Sequence, residues 1–287
     1  MKDEVAKLLE KVRKNDGSAF TIVEFVLDDI VSMARSGKMS RERWQELALG
    51  LLQAKGRMAP LYNIANMILL NLEEDDFQNT LMKKFDNLHK YHTDSEKLIS
   101  DTFISEFKPS TIMVNSYSST VMECLTALSK KIVDLKVVVT ESLPMGEGVM
   151  FAEALAGRKI NTTIIADSMT FEWMRRVDIF LCGADAVIPG KIFNKVGSEA
   201  IAHAAKLEGK QIVVVCDSLK LSPVELGDSV SKCNEIGPRL KRCTSLFESF
   251  DSSLVDRLIT EKWSCSGKEL PEKFRDWRRS PALDKGR

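Results

Sequence analysis

The apolar positions change their period once along the chain, near residue 108. In FTIVEFVLDDIVSMARSGK, the residues Phe20, Val23, Phe25, Val26, Ile30 and Val31 recur at helical spacing, and Gly37 closes the element as a C-terminal breaker. Ser40 is placed to cap a helix through Trp44, Leu47 and Leu51, and another helix follows Pro60 with Ile64, Ile68 and Leu69 on its face. The charged stretch 73–107 keeps Phe77, Leu81, Phe85 and Leu88 at the same spacing. The spacing predicts an N-terminal helical domain over residues 1–108, a bundle of four or five members. Lys108-Pro109-Ser110 ends it, because a residue before proline disfavours helix.

Beyond that point short β-branched runs alternate with helical stretches. TIMVNS, KVVVTES, NTTIIADS, DIFLCGADAVI and QIVVVCDS read as strands; the helices between them fall at 121–128, 148–156, MTFEWMRR and 198–207. This order predicts βαβ units and an open, mostly parallel sheet buried on both faces, hence an α/β fold class with a ligand-binding domain over 109–265. The segment 266–287, with seven Lys and Arg against four Asp and Glu, reads as a charged tail that is solvated or docks a partner.

Charge removes some function classes. Lys plus Arg and Asp plus Glu balance at 41 each in 287 residues, so net charge does not indicate a nucleic-acid binder, and DNA is not an expected partner. The chain starts with a charged amphipathic stretch and holds no uncharged apolar run approaching the ~18 residues of a spanning helix, so no membrane partner is expected. Six cysteines never form C-x-x-C, and Cys182 and Cys216 lie in apolar strand runs, which predicts free thiols in a reduced, cytoplasmic setting. Three histidines give a zinc site little support, and no metal or cofactor is expected.

Candidate chemistry sits where open α/β sheets bind ligands, outside the carboxyl ends of the strands. Those ends are polar here: Asn115-Ser116-Tyr117-Ser118-Ser119, Thr140-Glu141-Ser142, Asp167-Ser168, Gly183-Ala184-Asp185 and Asp217-Ser218. Hydroxyls and helix N-termini suit phosphate oxygens, and carboxylates suit sugar hydroxyls. The plainer reading is that each such residue only caps a helix. Three features stand out. Asp185 follows Gly183 as a proton-exchanging group, with Asn194 and Lys195 downstream and Lys195 a point charge for phosphate or an ordinary surface lysine. Gly146-Glu147-Gly148 opens a helix and suits an anion, but Phe151 stands where the third glycine of a nicotinamide-cofactor fingerprint belongs. Arg57, before Met58-Ala59-Pro60, is either a phosphate-reaching arginine or a helix-capping cation.

The strings TIMVNSYSSTVMECL, VVVTESLPMGEGVMFAEAL and TTIIADSMTFEWMRRVDIFLCGADAVIPGKIFNKVGSEAIAHAAKLEGKQIVVVCDSLKLSP resemble the translation initiation factor 2B alpha/beta/delta family. That family includes methylthioribose-1-phosphate and ribose-1,5-bisphosphate isomerases. The resemblance spans 108–222, continues through SLFESFDSSLVDRLITEKW, and includes MAPLYNIANMIL. It implies a Rossmann-like second domain, dimeric or higher assembly, and a phosphosugar pocket between the domains. It also implies an acid–base pair, a cysteine at the end of the first strand and the aspartate of GAD, that converts an aldose 1-phosphate to a ketose. Asp185 matches that aspartate, and Asn194 with Lys195 matches the substrate-binding pair. Glu147 stands where a methylthioribose-phosphate isomerase tends to carry glutamine, beside the matched Gly148. Arg57 corresponds to a phosphate-binding arginine, with Lys55 competing. Ser116 occupies the cysteine position, and Leu143 replaces a common arginine. A serine without a base is a far poorer acid or base than a thiol, and no histidine lies nearby in sequence.

The expectation is a regulatory or binding protein of the initiation-factor-2B type, taking a phosphorylated sugar or nucleotide, homo-oligomeric, with a possible translation-initiation partner. The alternative is an aldose–ketose isomerase acting on ribose 1,5-bisphosphate or methylthioribose 1-phosphate. A third reading is a pure scaffold, whose mark would be a pocket filled by Leu143 or Met145.

Overall fold

A computed structural model describes residues 2–15, 19–55, 58–223 and 231–284. The chain divides into two compact units: Met1–Ser95 with Leu219–Leu226 and Arg275–Arg287, and Glu96–Ser218 with Gly227–Phe274.

The first unit is built from α1 (Lys2–Lys14), α2 (Ala19–Ser36), α3 (Arg41–Lys55), α4 (Ala59–Asn71) and the first part of α5 (Phe77–Glu106). The apolar stripes become its core: Val5, Val26, Ile30, Trp44, Leu47, Ile64, Ile68 and Phe85 are all buried, each worth roughly 1.5–3 kcal/mol. Gly37 has φ 63° and its amide closes on Ala34 O, the left-handed stop that its type predicts. The described part of the final segment, residues 266–284, is not a solvated extension. Leu270 and Leu283 are buried, Ser280 N donates to Asn66 Oδ1, Asn66 Nδ2 donates to Arg278 O, and Leu283 joins the helical core. Net charge conceals this, because the few apolar residues of the segment are the ones that pack.

The second unit holds β1 (Thr111–Val114), α6 (Ser119–Ser129), β2 (Lys136–Thr140), α7 (Glu147–Gly157), β3 (Asn161–Ile165), α8 (Thr170–Met174), β4 (Ile179–Cys182), β5 (Ala186–Ile188), β6 (Lys191–Lys195), α9 (Ser198–Leu207) and β7 (Gln211–Val215). It continues with β8 (Lys232–Gly237), β9 (Leu240–Thr244), β10 (Phe247–Asp251), β11 (Arg257–Ile259) and β12 (Ser264–Cys265). The seven-stranded sheet runs β12-β11-β7-β4-β1-β2-β3, parallel throughout except for the β11–β12 edge. The α/β expectation therefore holds. Central strands read as continuous apolar runs because helices cover both faces; β4 is buried at all four positions.

Two small sheets depart from the sequence reading. DIFLCGADAVI is two strands, and β5 turns back on β6, which pairs antiparallel with β10. β8 and β9 form a hairpin in which Cys233 faces Cys243 and bonds to it as a disulfide. The reading of Cys182 and Cys216 as free thiols holds, and Cys124 and Cys265 are free and buried as well; the disulfide is the departure from the reduced setting expected for the cysteines.

Candidate functional site

The chain adds strands one way from β1 through β2 to β3 and the other way from β4 through β7 to β11, so the order switches between the parallel neighbours β4 and β1. A crevice at such a switch point is the standard ligand position of an open α/β sheet. The exits of β1 and β4 meet closely there: a Cβ at Gly183 would lie 2.8 Å from Ser118 Oγ. Ser118 itself caps α6, accepting from Val121 N at 3.3 Å. For this serine the helix-capping reading is correct.

Ser116 and Ser142 both adopt positive φ, 71° and 61°. That conformation is uncommon for a residue with a side chain and is held by its surroundings. The holding group is a buried polar cluster. Asn115 Oδ1 accepts from Thr140 Oγ1 at 2.7 Å and from Ser142 Oγ at 2.8 Å. Ser142 Oγ in turn accepts the Ser116 amide at 2.8 Å. On the other side Asn115 Nδ2 and Asn194 Nδ2 both donate to Ser198 Oγ at 3.1 Å, while Ser198 donates to Lys195 O at 2.7 Å. Every member is buried and partnered, so the cluster fixes the exits of β1 and β2 to the turn after β6. Asp167 adds a clamp, its two oxygens accepting from Ser142 N and Leu143 N at 2.8 and 2.9 Å.

Ser116, Glu147 and Lys195 come together above this cluster. Lys195 is only 3% exposed in its side chain and meets Glu147 Oε1 at 2.7 Å and Oε2 at 3.0 Å. It is not an ordinary surface lysine. Ser116 Oγ donates to Glu147 Oε1 at 3.1 Å. The partner that sequence distance conceals from Ser116 is a carboxylate 31 residues away, the first residue of α7. Gly146 supplies the left-handed entry to that helix at φ 73°. At Gly148 the room a side chain would need is taken by Thr140 O, 1.9 Å from an ideal Cβ. The glycine lets α7 approach β2, and its amide donates to Glu141 O.

Asp185 follows β4, half-buried, and its amide donates to Phe193 O at 2.8 Å. It therefore lies across the β5–β6 turn from the strand that carries Asn194 and Lys195. Arg57 falls outside the described residues, and Lys55 donates to Asn15 O. Leu143 and Met145 are 54% and 70% exposed, so neither fills a pocket. Phe151 is buried, with Tyr117 edge-on to its ring at 5.2 Å. Sequence reasoning named the strand ends but missed Asn115, Thr140 and Ser198 as one cluster. Their signal is polar type at positions where the neighbouring strand residues are apolar.

A family model described as the Initiation factor 2 subunit family matches residues 16–245. The chain belongs to this family. Among its relatives is a ribose 1,5-bisphosphate isomerase of Archaeoglobus fulgidus, 25% identical over 279 residues, covering 90% of this chain and 88% of the relative. The translation initiation factor eIF-2B of Pyrococcus horikoshii has the same fold, with a TM-score of 0.74 at 21% identity over 94% of this chain and 98% of that one. A chain of the tetrameric eIF2B-beta2-delta2 complex from C. thermophilum also matches, with a TM-score of 0.74 at 15% identity over 95% and 93%. Among the described residues no helix is long and apolar enough to cross a membrane.

Proposed function

We propose that this family member binds a phosphorylated sugar or nucleotide at the exits of β1, β2 and β4 and does not isomerise it. Asp185, Asn194, Lys195 and Glu147 form the binding face, and Gly148 lets α7 bring Glu147 there. The observation that carries the reading is the Ser116–Glu147–Lys195 chain. An isomerase of this family would use a thiol opposite Asp185, whereas here a serine hydroxyl is already donated to a carboxylate that a buried lysine neutralises.

The test is to incubate the purified chain with ribose 1,5-bisphosphate or methylthioribose 1-phosphate and follow ketose formation beside thermal stabilisation. A ligand present at 100 times its Kd should add ~2.7 kcal/mol to stability. Stabilisation without ketose is the expected result. Ketose formation that Asp185→Asn abolishes would overturn it in favour of isomerase activity. One contact favours that second reading: Glu147 at 3.1 Å from Ser116 Oγ is within reach to act as its base.

Self-association belongs to the same proposal. Leu143, Met145, Met150, Ile164, Met169 and Phe171 are all exposed around the outer corner of β2 and β3, and among the described residues β3 has a strand on one side only. An apolar patch beside an open sheet edge supports a second copy as occupant. Partnership with the translation machinery is supported by the family match and the factor relatives.

A further inference from the structure

The geometry points to Cys233–Cys243 as a reversible redox site that exchanges with a dithiol and sets the order of the chain entering β10. This goes beyond the ligand-binding reading and does not depend on it. The two cysteines face each other across β8 and β9. All of β9 and residues 232–236 of β8 are exposed, so both sulfurs lie on a ribbon that solvent reaches. The other four cysteines are buried, and burial pushes the thiols of Cys124, Cys182 and Cys265 up. Exchange is therefore confined to one pair.

Among the described residues the ribbon pairs with no other strand, and an isolated two-stranded ribbon is marginal in water. Three residues after Cys243 the chain reaches Leu246, whose carbonyl accepts from Val196 N at 3.0 Å, and Phe247 then pairs with Lys195. Glu248, opposite Asn194, accepts the Glu199 amide at 2.7 Å at the start of α9. The ribbon's root is thus hydrogen-bonded to the strand end that carries Lys195. In the exchange, a thiolate of the dithiol attacks one sulfur and the other leaves as thiolate. The second thiol of the reductant then displaces the first cysteine. Two electrons and two protons pass to the protein, and the dithiol ends as a disulfide.

The experiment is a titration of the folded full chain with reduced and oxidised dithiothreitol, read by alkylation under denaturing conditions and by hydrogen exchange. Four of six cysteines should alkylate in the oxidised protein and all six after reduction, in one two-electron step that reverses. On reduction the β8 and β9 amides should exchange about a hundredfold faster, and Val196 N–H should accelerate with them, while the Asp251–Lys191 end of β10–β6 stays unchanged. The variant carrying Cys233→Ser and Cys243→Ser should match the reduced protein in both states. Six reactive thiols before reduction, resistance of the native protein to the dithiol, or equal Val196 exchange in the two states would each overturn the inference.

Discussion

Replacing Glu147 by Gln tests the ion pair and the reading of the site together. The change removes one negative charge while keeping side-chain volume and a carbonyl oxygen for Lys195 and Ser116. Lys195 stays buried, so it loses its only carboxylate at hydrogen-bond distance among the described contacts. Breaking a fully buried pair from one side costs about 3–5 kcal/mol. Glu147 is 23% exposed and the amide still accepts, so the expected loss falls to ~2 kcal/mol. Lys195→Met alone should cost ~1–2 kcal/mol, because the carboxylate keeps water and the Ser116 hydroxyl. The double variant should recover part of the sum, giving a coupling of roughly 1–2 kcal/mol. Guanidinium unfolding with an unchanged m value is the assay for stability. Calorimetric titration with ribose 1,5-bisphosphate is the assay for the site, and there Glu147→Gln should bind about tenfold tighter because Lys195 is released to a phosphate. Additive single effects within ~0.5 kcal/mol and an unaltered Kd would refute the argument that Glu147 holds the lysine.

Ser116→Cys places a thiol at the acid–base position and should give slow ketose formation from ribose 1,5-bisphosphate where the parent gives none, measured by coupled assay. The thiol's ordinary pKa near 8.5 predicts a rate that rises with pH. Gly148→Ala should destabilise by about 3 kcal/mol or prevent folding, since the new Cβ meets a backbone carbonyl; circular dichroism melts would show it. Asp178 provides a pH marker. Burial raises its carboxyl, but hydrogen bonds from Thr111 N and from the Ser110 hydroxyl and amide outweigh that and hold it below its ordinary 3.8. Its contribution is full above that ordinary value and is lost as pH falls through the lower folded one, so Asp178→Asn should flatten the acid limb of stability against pH.

The parallel sheet was legible because each strand is an apolar run closed by polar residues, and the end of α5 at Glu106 because Pro109 disfavours helix just ahead of it. The candidate residues Ser116, Glu147, Asp185, Asn194 and Lys195 were legible by type and by resemblance, but their relations were not. Glu147 and Lys195 lie 48 residues apart on different elements, and no periodicity links a helix start to a strand in another sheet. The GADAVI stretch read as one strand because apolar content does not mark where a chain turns, and only the β5–β6 register shows Asp185 at the bend. Cys233 and Cys243 were hidden for the same reason: their ten-residue separation means nothing until the hairpin register places them opposite each other.

The contacts of the final segment bear on the order in which the protein can be made. Asn63 donates to Leu219 O and Leu221 O, Asn66 binds Arg278 and Ser280, and Leu219 and Leu283 complete the helical core. A ribosome delivers the five helices early, yet two of their buried asparagines wait for residues more than 150 positions downstream. The helical unit must therefore leave synthesis unfinished, with Asn63, Asn66 and an apolar gap still open. Pulse-labelled nascent chains stalled before Leu219 should be protease-sensitive in that unit, and chains with residues through Leu283 emerged should be resistant.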